Sequence, residues 1–193
     1  MPRKAKSVPA DPLGALVASA MRLAAADGWR QLTVPAIARA AGLPAAEAYR
    51  LAPAGRIDLL RALLRNAVET AAGTVPAPED EAPVRDRVFD ATMAFFEALM
   101  PHREGLRVVI REAAGDADML RLAGPASDAA RALLDLAGVD ASGVRGTARV
   151  LGLAGIIALT ARVWIDDTDG LPRTMADLDR RLRRVEGLAQ RFG

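Results

Sequence analysis

Apolar residues recur along this chain at intervals of three and four, the spacing that lays side chains on one face of a helix. Between about Leu13 and Ala26, Leu16, Val17, Ala20, Met21 and Ala24 share such a face; Asp27-Gly28 ends the segment, and Trp29 is placed to close a small core with Leu32 and Ile37. Two short helices follow. Thr33 is a good N-cap, Pro35 suits a first turn, Ile37 and Ala40 make one apolar face and Gly42 stops the first helix; Pro44 restarts a second through Leu51. A helix from about Ile57 to Ala72 runs into a Pro-rich acidic stretch, Gly73 to Pro83. Beyond it Val88, Phe89, Thr92, Met93, Phe95, Phe96, Leu99 and Met100 form a wide stripe ended by Pro101, and Leu106, Val109 and Ile110 suggest a further helix. Gly115-Asp116 and Gly124-Pro125 punctuate the way to a helix at about Ala126 to Ala137, and Val144 to Trp164 is the most apolar helix of all. Thr174 and Asp177 read as a capping pair for a last helix, with Leu178, Leu182, Val185, Ala189 and Phe192 in one arc and Arg180, Arg183, Arg184 and Arg191 opposite. No stretch reads as a strand, so the pattern predicts an all-α fold.

The pair of short helices around Ala41-Gly42-Leu43 is the pattern of a helix-turn-helix, in which the second helix enters a DNA major groove. Ala45, Ala46, Glu47 and Arg50 are the candidates to face base edges, and Thr33 and Tyr49 to contact phosphates. The charge distribution agrees. The net charge is only +2, yet Met1 to Arg65 carries 10 basic against 4 acidic residues and Asn66 to Asp128 carries 6 against 12. Positive charge gathered on one segment is what release of phosphate counterions requires. Arg3, Lys4 and Lys6 form a basic arm that suits either a DNA groove or a solubilising tail.

Composition narrows the remaining classes. The 193 residues are 51% hydrophobic and contain no cysteine, which excludes disulfides and thiol chemistry and suits a reducing cytoplasm, the expected location. The uninterrupted apolar run Val150 to Ala161 is shorter than the roughly 20 residues of a spanning helix. Asp11 and Arg22 interrupt the N-terminal apolar stretch, which does not read as a signal peptide. His102 is the sole histidine and lies near Glu104, but no nucleophile motif or phosphate-cradling glycine loop accompanies it, so neither an enzyme nor a cofactor is expected. Asp166, Asp167 and Asp169 before Gly170 lack the ligand order of a calcium loop and read as an acidic turn, leaving no expected metal site.

The order of parts over the first ~70 residues resembles the TetR family of bacterial regulators: an amphipathic helix ending in Asp27-Gly28-Trp29, two short helices, then Tyr49-Arg50 before Pro53-Ala54-Gly55-Arg56-Ile57-Asp58-Leu59-Leu60. Ala52 stands where Phe is usual, Leu51 where His is, and Pro44 where a capping Ser or Thr is common. The resemblance implies that Arg56 takes the place of a phosphate-binding lysine, that the helix through Leu59 and Leu63 couples reader to ligand domain, and that the last two long helices make a two-fold dimer. Expected boundaries are 1–56 for arm and helix-turn-helix, 57–72 for a connecting helix and 73–193 for ligand binding and dimerisation. Phe89, Met93, Phe96, Met100, Ile110 and Trp164 are then candidates for an apolar pocket, or for plain core. Ala148, Gly152, Gly155 and Leu159 offer a close helix contact, with a second subunit or within the chain.

The C-terminal half has a second likeness. Arg162-Val163-Trp164-Ile165-Asp166-Asp167-Thr168-Asp169 with Thr174 to Arg184 resembles the TetR-like lipid-binding accessory protein of coenzyme Q (ubiquinone) biosynthesis. That implies a small apolar or lipid-like effector and a last helix able to touch a membrane; an ordinary packed terminal helix fits the same residues. The leading expectation is therefore a ligand-responsive regulator on a palindromic double-stranded DNA operator, acting as a homodimer. The alternative is a lipid carrier that kept the fold.

Overall fold

The structure is a computed structural model that describes residues 9–76, 82–113 and 118–192. Nine α-helices span α1 (Pro12–Asp27), α2 (Val34–Ala41), α3 (Ala45–Leu51), α4 (Arg56–Ala72), α5 (Val84–Ala98), α6 (Arg103–Ala113), α7 (Asp118–Leu136), α8 (Gly143–Trp164) and α9 (Pro172–Phe192), with a 3-10 turn at Met100–His102 and no strand among the described residues. The all-α expectation holds. Gly115-Asp116 lies outside the described residues.

The helices fall into two compact units. One comprises residues up to Leu63 together with His102–Met119; the other comprises Leu64–Pro101 and Leu120–Gly193. The expected boundary near Gly73 had no place for the return of α6 to the first unit, because sequence distance says nothing about which apolar face a later helix seeks.

In the first unit the short polar residues act locally. Asp11 accepts from the Gly14 N–H at 2.9 Å and Pro12 follows it, so α1 starts with its first donors partnered. Gly28, at φ 86°, ends α1 by donating to the Ala24 carbonyl at 3.0 Å. Leu16, Val17, Ala20, Met21 and Ala24 are all buried, and Trp29 closes over them with Leu32 and Ile37 as predicted. The second wall is α6, whose Leu106 and Val109 are buried. Its Gly105 lies so near α1 that an added Cβ would stand 2.4 Å from the Met21 carbonyl oxygen. Arg30 fastens the far end of α6: its N–H donates to Glu112 Oε2 at 2.8 Å and its guanidinium to the Glu112 carbonyl at 2.7 Å.

In the second unit the α5 stripe is core. Phe95 and Phe96 meet edge to face with centroids 5.7 Å apart, and Phe96 lies 5.7 Å from Trp164 of α8. The helix expected at Ala126 instead begins at Asp118 and runs through Gly124 and Pro125. Pro125, which has no N–H to give, lies inside this helix and is itself buried. α8 is 22 residues long, far longer than the apolar run inside it, and passes the length and hydropathy criteria for a membrane-crossing helix. Here it packs on α9, and its Thr160 hydroxyl, wholly buried, donates to Asp177 Oδ2 at 3.0 Å.

The start of α9 corrects the expected capping pair. The helix begins at Pro172, and Asp167 in the preceding turn is its cap, accepting from the Thr174 N–H at 2.7 Å and the Thr174 hydroxyl at 2.8 Å. Leu171, a buried residue held at φ 53°, turns the chain so that Asp167 can reach back. Asp177 faces inward, where it also accepts from Arg181 at 2.6 Å and from Arg180. Burial alone would raise the pKa of both carboxyls, but hydrogen bonds from Thr174 and Thr168 to Asp167, and from Arg181 and Thr160 to Asp177, outweigh it and hold both below the usual range.

Gly105→Ala is expected to cost about 1–3 kcal/mol through the clash with the Met21 backbone. Gly187→Ala, in open space on α9, should be neutral or stabilising by up to about 1 kcal/mol. Thermal denaturation checks both; equal midpoints would refute the close α1–α6 approach. Because their folded pKa values are depressed, the stabilisation from Asp167 and Asp177 is present above the unfolded value of about 3.9 and is lost as pH falls through the folded values. Asp177→Asn should therefore lower stability at pH 7 and flatten the loss of helical circular dichroism as pH falls below the unfolded value of about 3.9.

Candidate nucleic-acid interface

The candidate reading surface is built from α2, its turn and α3. Thr33 caps α2, its hydroxyl accepting from the Ala36 N–H at 3.4 Å. Gly42, at φ 74°, ends the helix, with the Gly42 N–H donating to Arg39 and the Leu43 N–H to the Ala38 carbonyl at 2.9 Å. The left-handed Gly42 turns the chain into α3, which has no side-chain cap at Pro44. On α3 only Ala48 is fully buried, and a methyl there lets the helix lie close to its support.

The opposite side of α3 faces out. Ala45, Ala46, Tyr49 and Arg50 are exposed, Tyr49 by 51% and the Arg50 side chain by 71%. Glu47 is half-buried and accepts from the Arg50 guanidinium at 3.3 Å, so these two candidate base readers partner each other. Apart from that pair and the Tyr49 hydroxyl, this face is methyl groups, which suit thymine methyls and offer few hydrogen bonds to base edges. Thr33 is exposed. Arg56 is half-buried and turned inward: it donates to the Trp29 carbonyl, with its guanidinium carbon 5.3 Å from the centre of the Trp29 ring. Arg3, Lys4 and Lys6 lie outside the described residues. Sequence reasoning passed over Arg39, the one cation of α2, which is exposed in its last turn.

Of the pocket candidates, Met93, Phe96 and Trp164 are buried and Phe89 and Met100 half-buried, all in the second unit, where Phe96 and Trp164 meet. Ile110, half-buried on α6, belongs to the first unit. Ala148, Gly152, Gly155 and Leu159 share an outward face of α8 with Val144 and Leu151. A Cβ added at Gly152 or Gly155 would meet nothing within 4 Å, so among the described residues no helix packs closely on these glycines. On α9, Arg180, Arg183 and Arg184 are exposed with Val185, and Arg183 pairs with Asp179 at 2.9 Å. Glu104 pairs with Arg107 at 2.6 Å, and burial lowers the pKa of His102. No cluster of three metal-ligating side chains occurs among the described residues.

Solved structures of other proteins share this fold. A TetR transcriptional regulator from Nitrosomonas europaea superposes with a TM-score of 0.65 at 20% identity, over 90% of this chain and 98% of its own. One from a Rhodococcus species gives 0.61 at 17%, over 88% and 92%, and one from Streptomyces coelicolor 0.55 at 19%, over 94% and 85%. No protein-family model matches the sequence, and no curated protein does. The chain thus has the all-α fold of TetR-type regulators.

Arg50→Ala, removing an exposed side chain, should leave the thermal midpoint within the equivalent of about 0.5 kcal/mol, whereas Thr33→Ala should cost about 1 kcal/mol by uncapping α2. Calorimetry of the two variants separates a surface role from a structural one.

Proposed function

We propose that this protein is a DNA-binding transcriptional regulator of the TetR type that reads a palindromic operator as a two-fold dimer. The exposed face of α3, held by a well-capped α2, carries the reading: a short helix that turns Ala45, Ala46, Tyr49 and Arg50 outward suits a major groove and serves no other evident purpose. Arg50 is the leading base contact, with Thr33, Tyr49 and the Arg3, Lys4 and Lys6 arm on the phosphates. The open face of α8, where Leu151 is 61% and Leu159 44% exposed, supports pairing with a second copy, which would set two readers about 34–36 Å apart. The apolar α5–α8 region around Phe96 and Trp164 suits a small apolar effector, which would release DNA by preferring one state of the protein. α4 is one unbroken helix that begins in the first unit and ends in the second, so Leu59 and Leu63 lie on the natural route of coupling.

A second reading is a lipid-binding accessory protein of quinone biosynthesis whose last helix touches a membrane. The observation that favours it is the poverty of hydrogen-bonding groups on α3, where two of the four exposed residues are alanine and Glu47 occupies Arg50.

Capture of source-genome fragments over a salt series decides between them. A regulator enriches one palindromic site, with affinity falling as salt rises, and Arg50→Ala loses it; a lipid carrier retains DNA diffusely or not at all. Leu159→Glu should leave the subunit folded while halving the mass measured by light scattering; an unchanged mass would place any assembly elsewhere.

A further inference from the structure

The turn after α3 shows how the reader is held. α3 ends at Leu51, and the chain turns through Pro53-Ala54-Gly55 into α4, whose first residue is Arg56. Gly55 takes φ 72° and donates to the Ala52 carbonyl at 2.9 Å, while the Ala54 N–H donates to Asp58 Oδ2 at 2.6 Å, so both backbone donors of the turn are partnered. A Cβ at Gly55 would lie 3.7 Å from the Val34 side chain of α2. Arg56 then crosses to the end of α1, donates to the Trp29 carbonyl and lies over the buried Trp29 ring. The same carbonyl accepts from the Leu32 N–H at 3.2 Å, and the adjacent Arg30 is clamped to Glu112 of α6. Residues 29–32 lead directly into Thr33, the cap of α2.

We infer that Arg56 is a positioning residue for α3, acting through Trp29, and not a ligand of the DNA backbone. The start of α3 is set by the Gly42 turn; its far end is set by Arg56, which ties the turn after α3 to the end of α1. Two properties of arginine are engaged at once: a planar cation over an indole ring, and a guanidinium N–H on the carbonyl of the same residue. A lysine keeps the charge but not this combination. A guanidinium so engaged is directed into the protein, away from where a phosphate would approach. The inference rests on the proposed DNA reading.

The test compares the parent with Arg56→Lys and Arg56→Gln on the fragment most enriched by the parent, across a salt series, with circular dichroism to confirm folding. Should the glutamine variant unfold, the lysine variant carries the comparison. A positioning role predicts that both variants weaken binding by about tenfold at every salt concentration, with an unchanged dependence on log salt. The Arg56 side-chain N–H signal in NMR should be shifted by the indole ring current in the free protein and should stay in place when DNA is added. A salt slope reduced by about 0.9, with lysine restoring both affinity and slope, would make Arg56 a phosphate ligand and overturn the inference while leaving the proposed function standing. A parent that enriches no site overturns the proposed function, and this role with it.

Discussion

A seven-residue helix makes too few internal hydrogen bonds to persist alone in water, and α3 buries just one side chain completely, Ala48. Its orientation must therefore be imposed by neighbours, and the rest of the first unit follows from that requirement. α2 supplies the approach through a Thr33 cap and a Gly42 turn; α1 supplies the apolar surface; Arg56 ties the exit of α3 back to Trp29. α1 is in turn held by α6, which approaches it through Gly105 and is latched by Arg30 and Glu112. Each support is short-range and geometric, which is how a helix with almost no core of its own acquires a fixed direction.

The second unit solves a different problem. α8 and α9 bury carboxylates against each other: Thr160, Arg180 and Arg181 surround Asp177, and Thr174 and Thr168 satisfy Asp167. Arg180 and Arg181 lie on α9 with Asp177 and move with it, whereas Thr160 reaches it from α8, so a slip of the two helices costs that buried hydrogen bond. The outward side of α8 is the reverse case. Val144 is 88% exposed, and the glycines beside Leu151 and Leu159 present bare backbone with no side chain to shield it. An apolar strip of that kind is costly in water, which is the physical argument for a covering subunit.

The two faces bear on the proposed reading of DNA. With Ala45 and Ala46 outward and Arg50 bound to Glu47, the α3 surface offers little direct hydrogen-bond readout. Under the proposed function, binding strength then comes mainly from phosphate contacts and from two readers acting together. Under the same proposal, discrimination would rest on Arg50 and on methyl contacts with thymine, with Tyr49 on the phosphates.

Much of this was legible in the residues alone. The order of helices, the Gly42 turn, the burial of Leu16, Val17, Ala20, Met21 and Ala24 and the small core around Trp29 follow from periodicity and capping, which act over a few residues and leave their mark in local sequence. The exposed face of α3 was legible for the same reason. Tertiary structure decided the rest. It returned α6 to the first unit, carried α7 through Gly124-Pro125 and made Asp167, not Thr174 with Asp177, the cap of α9. It also turned Arg56 towards Trp29, 27 residues away. These outcomes depend on which groups meet after the chain has folded back on itself. An arginine in a sequence carries a charge and a reach but no direction, and only packing gives it one.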